Sequence, residues 1–293
     1  IRRPPRSTLS SSSAASDVYK RQGYNDSTCL VELDEEPPHE INKEALETVL
    51  IFCKIVDANI FKKIQVMRKI VVDGSNTTGF QRSVLIATGG KIETKHGTVR
   101  IQTIGLEEDA CRIIENKETE RIYRLDRQGI PLIEIATEPD IKNPEQLKEA
   151  AEKIGLILRS LKVKRGLGTI RQDLNISIKD GTRIEIKGVQ NLKDIPKIGK
   201  NEAERQKNLH ELRKILAKEK AEPSSEIKDL TKELSKTESK VIRTQIDAGR
   251  KVLGIKMKNF AGILKKEIMP NYRIATELAD YAKEKNKIKG LFH

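Results

Sequence analysis

The chain has no tryptophan, and aromatic residues make up only 3% of its 293 residues. Apolar residues nevertheless reach 37%, which is enough to bury a sizeable core. A chain of this length is expected to form about two domains. No run of about 18 apolar residues occurs, so we predict no membrane-spanning helix and no membrane partner.

Cysteine and histidine are scarce and widely spaced. The three cysteines, Cys29, Cys53 and Cys111, form no CxxC pair, and the four histidines show no metal-ligand spacing. This pattern argues against a zinc site and a disulfide framework, and it favours a reducing, cytoplasmic location. The sequence also contains neither a GxGxxG fingerprint nor a Walker A loop, which excludes the commonest nucleotide-binding motifs.

The net charge of +13 is distributed unevenly along the chain. Residues 1–22 carry +4, residues 23–192 carry −1, and residues 193–293 carry +10. A basic C-terminal third would attract a polyanion such as RNA. Lysine-rich helix faces are also often merely solvated, and the charge alone does not decide between these interpretations.

Composition and periodicity divide the chain into four regions. Residues 1–22 lack an apolar period and the apolar core of a signal peptide, and we interpret them as a non-native or disordered leader. Residues 23–192 carry most of the strand-like runs and the acidic motifs. Residues 193–247 are interpreted as a helical connector, with one helix predicted over 227–245. Residues 248–293 open a smaller unit with a strand at 250–255, and we expect both ends of the native chain to be cut.

Acidic residues cluster at the ends of strand-like runs. A run over 92–106, broken by His96 and Gly97, ends at the triplet Glu107–Asp109, and Glu134 interrupts the apolar run 132–135. Carboxylates at a strand end suit a hard cation such as Mg²⁺. The alternative for the triplet is a solvated strand terminus. Burying an unpaired Glu134 would be costly, so either a cation or a basic partner, Arg124 or Arg127, is expected beside it.

Residues 169–187 predict a β-hairpin with one apolar and one polar face. A three-residue loop, Lys179–Gly181 with Gly181 left-handed, keeps the isoleucines on one side. The polar face then carries acids, bases and amides together, which suits a nucleotide–metal site. The alternative is a solvent-facing sheet of cross-strand ion pairs. The polar residues are Arg171, Asp173, Asn175, Ser177, Arg183, Glu185 and Lys187.

Six sequence blocks occur in one consistent order from about residue 24 onward. They are DSTCLVELDEEPPHEI (26–41), RKIVVDGSNTTGFQR (68–82), GLEEDA (105–110), LDRQGIPLIEIATEPD (125–140), RGLGTIRQDLNIS (165–177) and RIEIKGVQ (183–190). With these blocks the chain resembles the GatB/GatE family of glutamyl-tRNA(Gln) amidotransferase subunits, and block 68–82 favours its archaeal, GatE-type branch. The stretch 260–281 resembles the insertion domain that this branch shares with bacterial-type aspartyl-tRNA synthetase.

The resemblance implies an α+β fold: a cradle-like domain with a mixed or antiparallel sheet and helices, a helical connector and the start of a smaller α+β insertion domain. It implies an ATP- and Mg²⁺-dependent ligase that phosphorylates the Glu γ-carboxylate of Glu-tRNA(Gln). Ammonia from an asparaginase-like partner subunit of the same heteromer then gives Gln-tRNA(Gln). Phosphoryl transfer of this kind needs mainly positioning and charge neutralisation.

Family positions are carried to this sequence residue by residue. Glu107 and Glu134 fall on the Mg²⁺ ligand positions. Within the polar hairpin, we expect Arg171 and Lys187 to neutralise phosphate, and Asp173 and Glu185 to orient ATP or water on the metal. Asn175 completes the catalytic set, and Ser177 and Arg183 are assigned to cofactor binding.

Two features of the family have no counterpart in this sequence. A GLE-x-H segment that also supplies metal ligands is displaced by the leader, so we expect the chain to be inactive alone. The helical and tail domains that bind the tRNA in the family are also missing, so tRNA affinity should be weak.

Two alternatives to the amidotransferase interpretation are a non-catalytic tRNA-binding module and a fragment related to aspartyl-tRNA synthetase.

Overall fold

The computed structural model describes residues 25, 28–117, 119–166, 168–286 and 288–292, and the predicted leader lies outside them. The fold is α+β, as the sequence predicts, with antiparallel strand pairs and no closed barrel among these residues. Within the same ranges the helices are α1 (Lys43–Ile55), α2 (Pro144–Ser160), α3 (Ile195–Glu219), α4 (Lys240–Asp247) and α5 (Ile274–Asn286).

Fourteen strands are found in the described part of the chain, and most lie before residue 190. They are β1 (Asn59–Ile60), β2 (Val66–Ile70), β3 (Phe80–Thr88), β4 (Lys91–Thr94), β5 (Gly97–Glu108), β6 (Arg112–Asn116), β7 (Arg121–Arg124), β8 (Pro131–Thr137), β9 (Leu174–Ile176), β10 (Ile184–Ile186), β11 (Glu222–Asp229), β12 (Leu253–Lys258), β13 (Glu267–Met269) and β14 (Tyr272–Arg273).

The chain forms two compact units. The first comprises Ile1–Leu174 and Glu185–Gly199, and the second comprises Asn175–Ile184 and Lys200–His293. The catalytic domain, connector and insertion domain expected from the sequence stay predictions, because these units divide the chain differently.

A six-stranded antiparallel sheet organises the first unit. β3 lies between β5 and the shorter β1 and β2, so that Ser83 pairs with Met67 on one side and Glu107 on the other. β8 pairs with β5, and β4 forms a hairpin with β5 around Lys95 and His96, as expected from the sequence. This order places the predicted acidic residues on two neighbouring strands.

One face of the sheet is covered by α1 and α2. Val49 and Phe52 of α1 are fully buried and pack in one cluster with Ile86 of β3, Ile104 of β5 and Ala150 of α2. Because side chains alternate across a strand, burying this face leaves the other face for polar residues. The hydrophobic core thus determines which acidic side chains point away from the helices.

Helix α2 begins as its sequence predicts. The Asn143 side chain accepts a hydrogen bond from the Gln146 amide at 2.8 Å, and Pro144 occupies the first turn. The Gln146 side chain in turn accepts from the Lys142 amide at 3.0 Å. These local bonds satisfy amides that the first turn of a helix leaves open.

The second unit contains α3, the β11–β12 ribbon, α4, the β13–β14 hairpin and α5. Its core includes Leu212 of α3 together with Ile263, Ile268 and Ile274. The helix predicted over 227–245 is wrong in its first part, since Glu222–Asp229 is a strand and only Lys240–Asp247 is helical. Ile227 pairs with Ile255 across the ribbon, and this long-range pairing overrides the local helical period.

No helix in the described part of the chain is long and apolar enough to span a membrane.

Candidate functional site

Glu107 and Glu134 lie on the same face of neighbouring strands. Glu134 of β8 is directly opposite Gly105 of β5, and Glu107 lies two residues beyond Gly105. The two carboxylates are therefore diagonal neighbours, a relation that places side chains about 7–8 Å apart at their base. Gly105 places no side chain beside Glu134, and a Cβ there would lie 3.3 Å from the Val84 carbonyl oxygen and 3.9 Å from Glu134 Oε2.

A lysine that was not predicted from the sequence completes this acidic face. Lys69 Nζ donates to Glu107 Oε1 at 2.8 Å, and Ser83 Oγ lies 3.1 Å from the same oxygen. The bond to Glu107 raises the pKa of the Lys69 amine, burial opposes the rise, and the charges of Glu107 and Glu134 add to it. Lys69 is therefore a cation close to both carboxylates.

The expectation that Glu134 needs compensation for burial is wrong. Glu134 is exposed on the polar face, whereas its strand neighbours Ile133 and Ile135 belong to the core cluster. The apolar residues around it face the helices, and the alternation of the strand turns Glu134 outward. Glu134 is therefore an acidic residue on the exposed polar face.

The two carboxylates fit part of a Mg²⁺ coordination sphere. Magnesium is usually held by one or two protein carboxylates together with water and substrate phosphates. Within the described residues no group of three or more His, Cys, Asp or Glu side chains is placed to hold a metal. The donor set therefore suits a metal that arrives with a phosphate ligand, and a metal on Oε1 of Glu107 would take the place of the Lys69 amine.

Asp109, the last acid of the triplet, is buried and is contacted by two arginines. Its side chain lies 3.1 Å from Arg171 Nη2 and 3.4 Å from Arg127 Nε, both measured to Oδ2. The Ala110 amide donates to the other oxygen at 2.9 Å. The alternative of a solvated terminus is therefore wrong for this residue, which is only 4% exposed.

Burial and the two arginines act on Asp109 in opposite directions. Burial raises the pKa of the carboxyl group, and the charges of Arg127 and Arg171 lower it, with a net rise. This cluster was not predicted from the sequence, because Asp109 and Arg171 are 62 residues apart. The only sequence signal was the alternation of β5, which turns Asp109 away from Glu108.

The polar and apolar faces predicted for residues 173–187 are present. Leu174 is buried and Ile176, Ile184 and Ile186 are partly buried, while the intervening polar residues are exposed. β9 and β10 pair as a two-stranded sheet. The exposed set contains every predicted polar site residue of the hairpin: Arg171, Asp173, Asn175, Ser177, Arg183, Glu185 and Lys187.

The predicted three-residue loop is wrong. Each strand has three residues, so seven residues, 177–183, connect them. The left-handed residue is Asp180 at φ 65°, and not Gly181. Asp tolerates this conformation better than most residues, and Gly181 donates its amide to the Ile178 carbonyl at 3.0 Å instead.

The contacts of the hairpin residues differ in the two units. In the first unit, Asp173 accepts from the Gly188 amide at 2.8 Å, and Lys187 lies 3.4 Å from Glu185. Asn175, Ser177 and Arg183 belong to the second unit, where they are exposed. The catalytic and cofactor-binding roles of the seven residues stay predictions.

The loop over 73–79, whose small polar residues could bind phosphate, uses several polar groups internally. Asp73 accepts from the Ser75 amide at 2.9 Å and from its hydroxyl at 2.6 Å. The Gly79 amide donates to the Asn76 carbonyl at 2.9 Å. These bonds are those of a structured turn.

Comparison with known proteins defines the class of this chain. The model of the GatB/GatE catalytic domain matches residues 7–277, and the chain therefore belongs to that family. The matched range begins inside the segment that we interpret as a leader, so that interpretation stays a prediction.

The similar curated relatives are archaeal glutamyl-tRNA(Gln) amidotransferase subunits of the GatE type. Identity is 50% over 273 residues with the Methanococcus maripaludis C5 protein, which covers 93% of this chain and 43% of the relative. It is 50% over 269 residues with the Haloarcula marismortui protein, covering 92% and 43%. For Methanocaldococcus jannaschii it is 48% over 302 residues, covering 100% and 48%. The chain thus spans less than half the length of these relatives.

Proposed function

We propose that this chain carries the kinase centre of a tRNA-dependent amidotransferase subunit. It would use ATP and Mg²⁺ to phosphorylate the γ-carboxylate of Glu on Glu-tRNA(Gln). Ammonia released by an asparaginase-like partner subunit would then convert the product to Gln-tRNA(Gln). The names of the relatives support the tRNA-dependent amidotransferase role, and the residues on the sheet support the choice of phosphoryl chemistry.

The observation that carries the proposal is the placement of Glu107 and Glu134. They lie on one face of adjacent strands with only Gly105 between them, and the helices cover the opposite face. One half-buried and one exposed carboxylate on the polar face suit a Mg²⁺–nucleotide complex, as argued above. In a module that only bound tRNA, these two acids would repel phosphate.

The reaction is balanced by two displacements. A γ-carboxylate oxygen of Glu attacks the terminal phosphorus of ATP, the P–O bond to ADP breaks, and an acyl phosphate forms. Ammonia then attacks the acyl carbon, the C–O bond to phosphate breaks, and a proton leaves the nitrogen. Phosphorylation is needed because a carboxylate is a poor electrophile, and the phosphate supplies a leaving group.

The protein groups contribute charge and position. Glu107 and Glu134 would hold Mg²⁺, which neutralises charge on the phosphates when it is bound. Arg171 and Lys187 would neutralise the transferred phosphoryl group from the protein side. Asp173 is held by the Gly188 amide, which fixes one carboxylate oxygen and leaves the other to orient the nucleotide.

The first test is Mg²⁺-dependent ATP binding by this chain. Glu134→Gln removes one ligand charge with little change in shape. It is expected to weaken Mg²⁺-dependent binding by at least about tenfold, the smallest loss seen even for residues that only support metal ligands. Glu93→Gln is the matched control, since Glu93 is an exposed acid on β4 of the same sheet.

The second test is turnover. ATP hydrolysis by the complex with the partner subunit should require both Mg²⁺ and Glu-tRNA(Gln). Glu134→Gln should abolish this Mg²⁺- and tRNA-dependent hydrolysis. Retention of tRNA without ATP binding or hydrolysis would reject the kinase and favour the non-catalytic tRNA-binding module. If Glu134→Gln and the control Glu93→Gln bind ATP equally well, Glu134 is not a residue of the site.

A further inference from the structure

One buried carboxylate at the end of β5 is shared by two arginines of different exposure. Arg171 approaches both oxygens of Asp109, with Nη2 3.1 Å from Oδ2 and Nη1 3.5 Å from Oδ1. Arg127 Nε lies 3.4 Å from Oδ2. The Arg171 side chain is 39% exposed and that of Arg127 is 21% exposed. Arg171 is therefore the member of the cluster that a solute can reach.

The base of the cluster is held by the backbone. Asp109 donates its amide to the Ile130 carbonyl at 2.8 Å, and its carbonyl accepts from the Gly129 amide at 3.0 Å. Arg127 donates from Nε to the Ala110 carbonyl at 2.8 Å and from Nη2 to the Cys111 carbonyl at 3.1 Å. The carboxylate thus presents a fixed edge to Arg171.

Asp109 is contacted by two guanidinium groups, those of Arg127 and Arg171, and by the Ala110 amide. A guanidinium carries five N–H donors, and the contacts with Asp109 use only one edge of it. The remaining donors of a held, partly exposed arginine are well suited to a phosphate.

We infer that Asp109 is a positioning residue, which fixes the Arg171 guanidinium so that its free edge binds a phosphate of the nucleotide. This inference rests on the proposed function, since Arg171 is there assigned to phosphate. Asp109 itself touches no substrate and acts only through Arg171.

The test compares two neighbouring carboxylates of the same strand end. Asp109→Asn keeps the shape and removes the charge. It is expected to weaken Mg²⁺–ATP binding about tenfold, the loss typical of a charged hydrogen bond. Glu108→Gln is the matched control, because Glu108 pairs with Arg82 through Arg82 Nε at 2.8 Å and does not contact Arg171. The control should bind Mg²⁺–ATP as the unchanged chain does.

A double-mutant cycle separates positioning from general structure. In the Arg171→Gln background, Asp109→Asn should have no further effect on Mg²⁺–ATP affinity, because the residue through which it acts is gone. An equal loss in both backgrounds would overturn the inference. In ¹⁵N spectra of the arginine side chains without nucleotide, Asp109→Asn should broaden or shift the Arg171 signal, and Glu108→Gln should not.

A variant outside the core keeps the inference testable if Asp109→Asn does not fold. Arg171→Lys retains the charge and loses the fixed two-pronged edge, so it should bind Mg²⁺–ATP about as weakly as Arg171→Gln. Binding like the unchanged chain would show that charge alone suffices and would overturn the positioning role. If the unchanged chain itself binds no Mg²⁺–ATP, the proposed function fails. If it binds and Asp109→Asn binds equally well, only the positioning role fails.

Discussion

A divalent metal at the proposed site would compete with Lys69 for the Glu107 carboxylate, and Lys69→Met removes this competitor. The amine donates to Glu107 Oε1 at 2.8 Å, with the Lys69 side chain 59% exposed and that of Glu107 13% exposed. An ion pair with one exposed partner is worth at most about 1 kcal/mol. A metal that takes Oε1 of Glu107 would displace Lys69, so the variant should bind metal up to about fivefold more tightly.

The assay is a titration with Mn²⁺ as a probe for Mg²⁺, followed by electron paramagnetic resonance without nucleotide. Lys91→Met is the control, since Lys91 is also 59% exposed but lies 3.9 Å from Glu93, outside the site. Its affinity for Mn²⁺ should not change. Unchanged or weaker Mn²⁺ binding by Lys69→Met would refute the competition for Oε1 of Glu107.

Three further predictions concern stability. Phe52→Ala should lower the free energy of unfolding by about 3–5 kcal/mol in urea titrations, because Phe52 is fully buried; the exposed Ile51→Ala should cost far less. Asn143→Ala should cost about 1 kcal/mol by loss of the α2 cap, and Asn143→Ser should recover most of it. Hydrogen bonds from the Arg100 side chain, and to a smaller extent from its backbone amide, lower the pKa of Asp140 from its ordinary value of 3.8 to about 2. This pair therefore stabilises the fold above pH 3.8 and loses its effect as the pH falls toward 2. The stability difference between the unchanged chain and Asp140→Asn should shrink over that interval; a constant difference would contradict the assignment.

Local signals predicted the elements whose causes are local. The start of α2 follows from Asn143, Pro144 and Gln146, which all act within one turn. The β4–β5 hairpin likewise follows from two apolar runs around His96 and Gly97. Such elements can be predicted from the sequence because their hydrogen bonds join residues that are close along the chain.

Elements that depend on distant partners were predicted less well. Residues 227–229 fit a helical period, yet they form a strand because Ile227 finds Ile255 across the ribbon. The turn of the β9–β10 hairpin was misassigned because Asp180, and not the following glycine, adopts the left-handed conformation. Short apolar runs and turn residues leave these choices open until the tertiary partner is known.

The residues of the candidate site also differ in how well the sequence predicted them. Glu107 and Glu134 were predicted from the family resemblance, but their common face depends on the β5–β8 register, which no local pattern supplies. Lys69 was missed because its contact with Glu107 depends on β3, which lies between their strands. The burial of Asp109 was missed for the same reason, since its arginines come from loops far along the chain.

The acidic triplet is best understood as three residues with different cationic partners. At the end of β5 the alternation of the strand separates them: Glu107 meets Lys69, Glu108 meets Arg82, and Asp109 meets Arg171 and Arg127. The Glu107 pair lies on the polar face beside Glu134, where a metal at the proposed site would displace an exposed lysine. Asp109 is buried and holds the partly exposed Arg171 by two contacts. One strand end would thus supply an exchangeable carboxylate and a fixed guanidinium, two kinds of group that suit phosphoryl transfer.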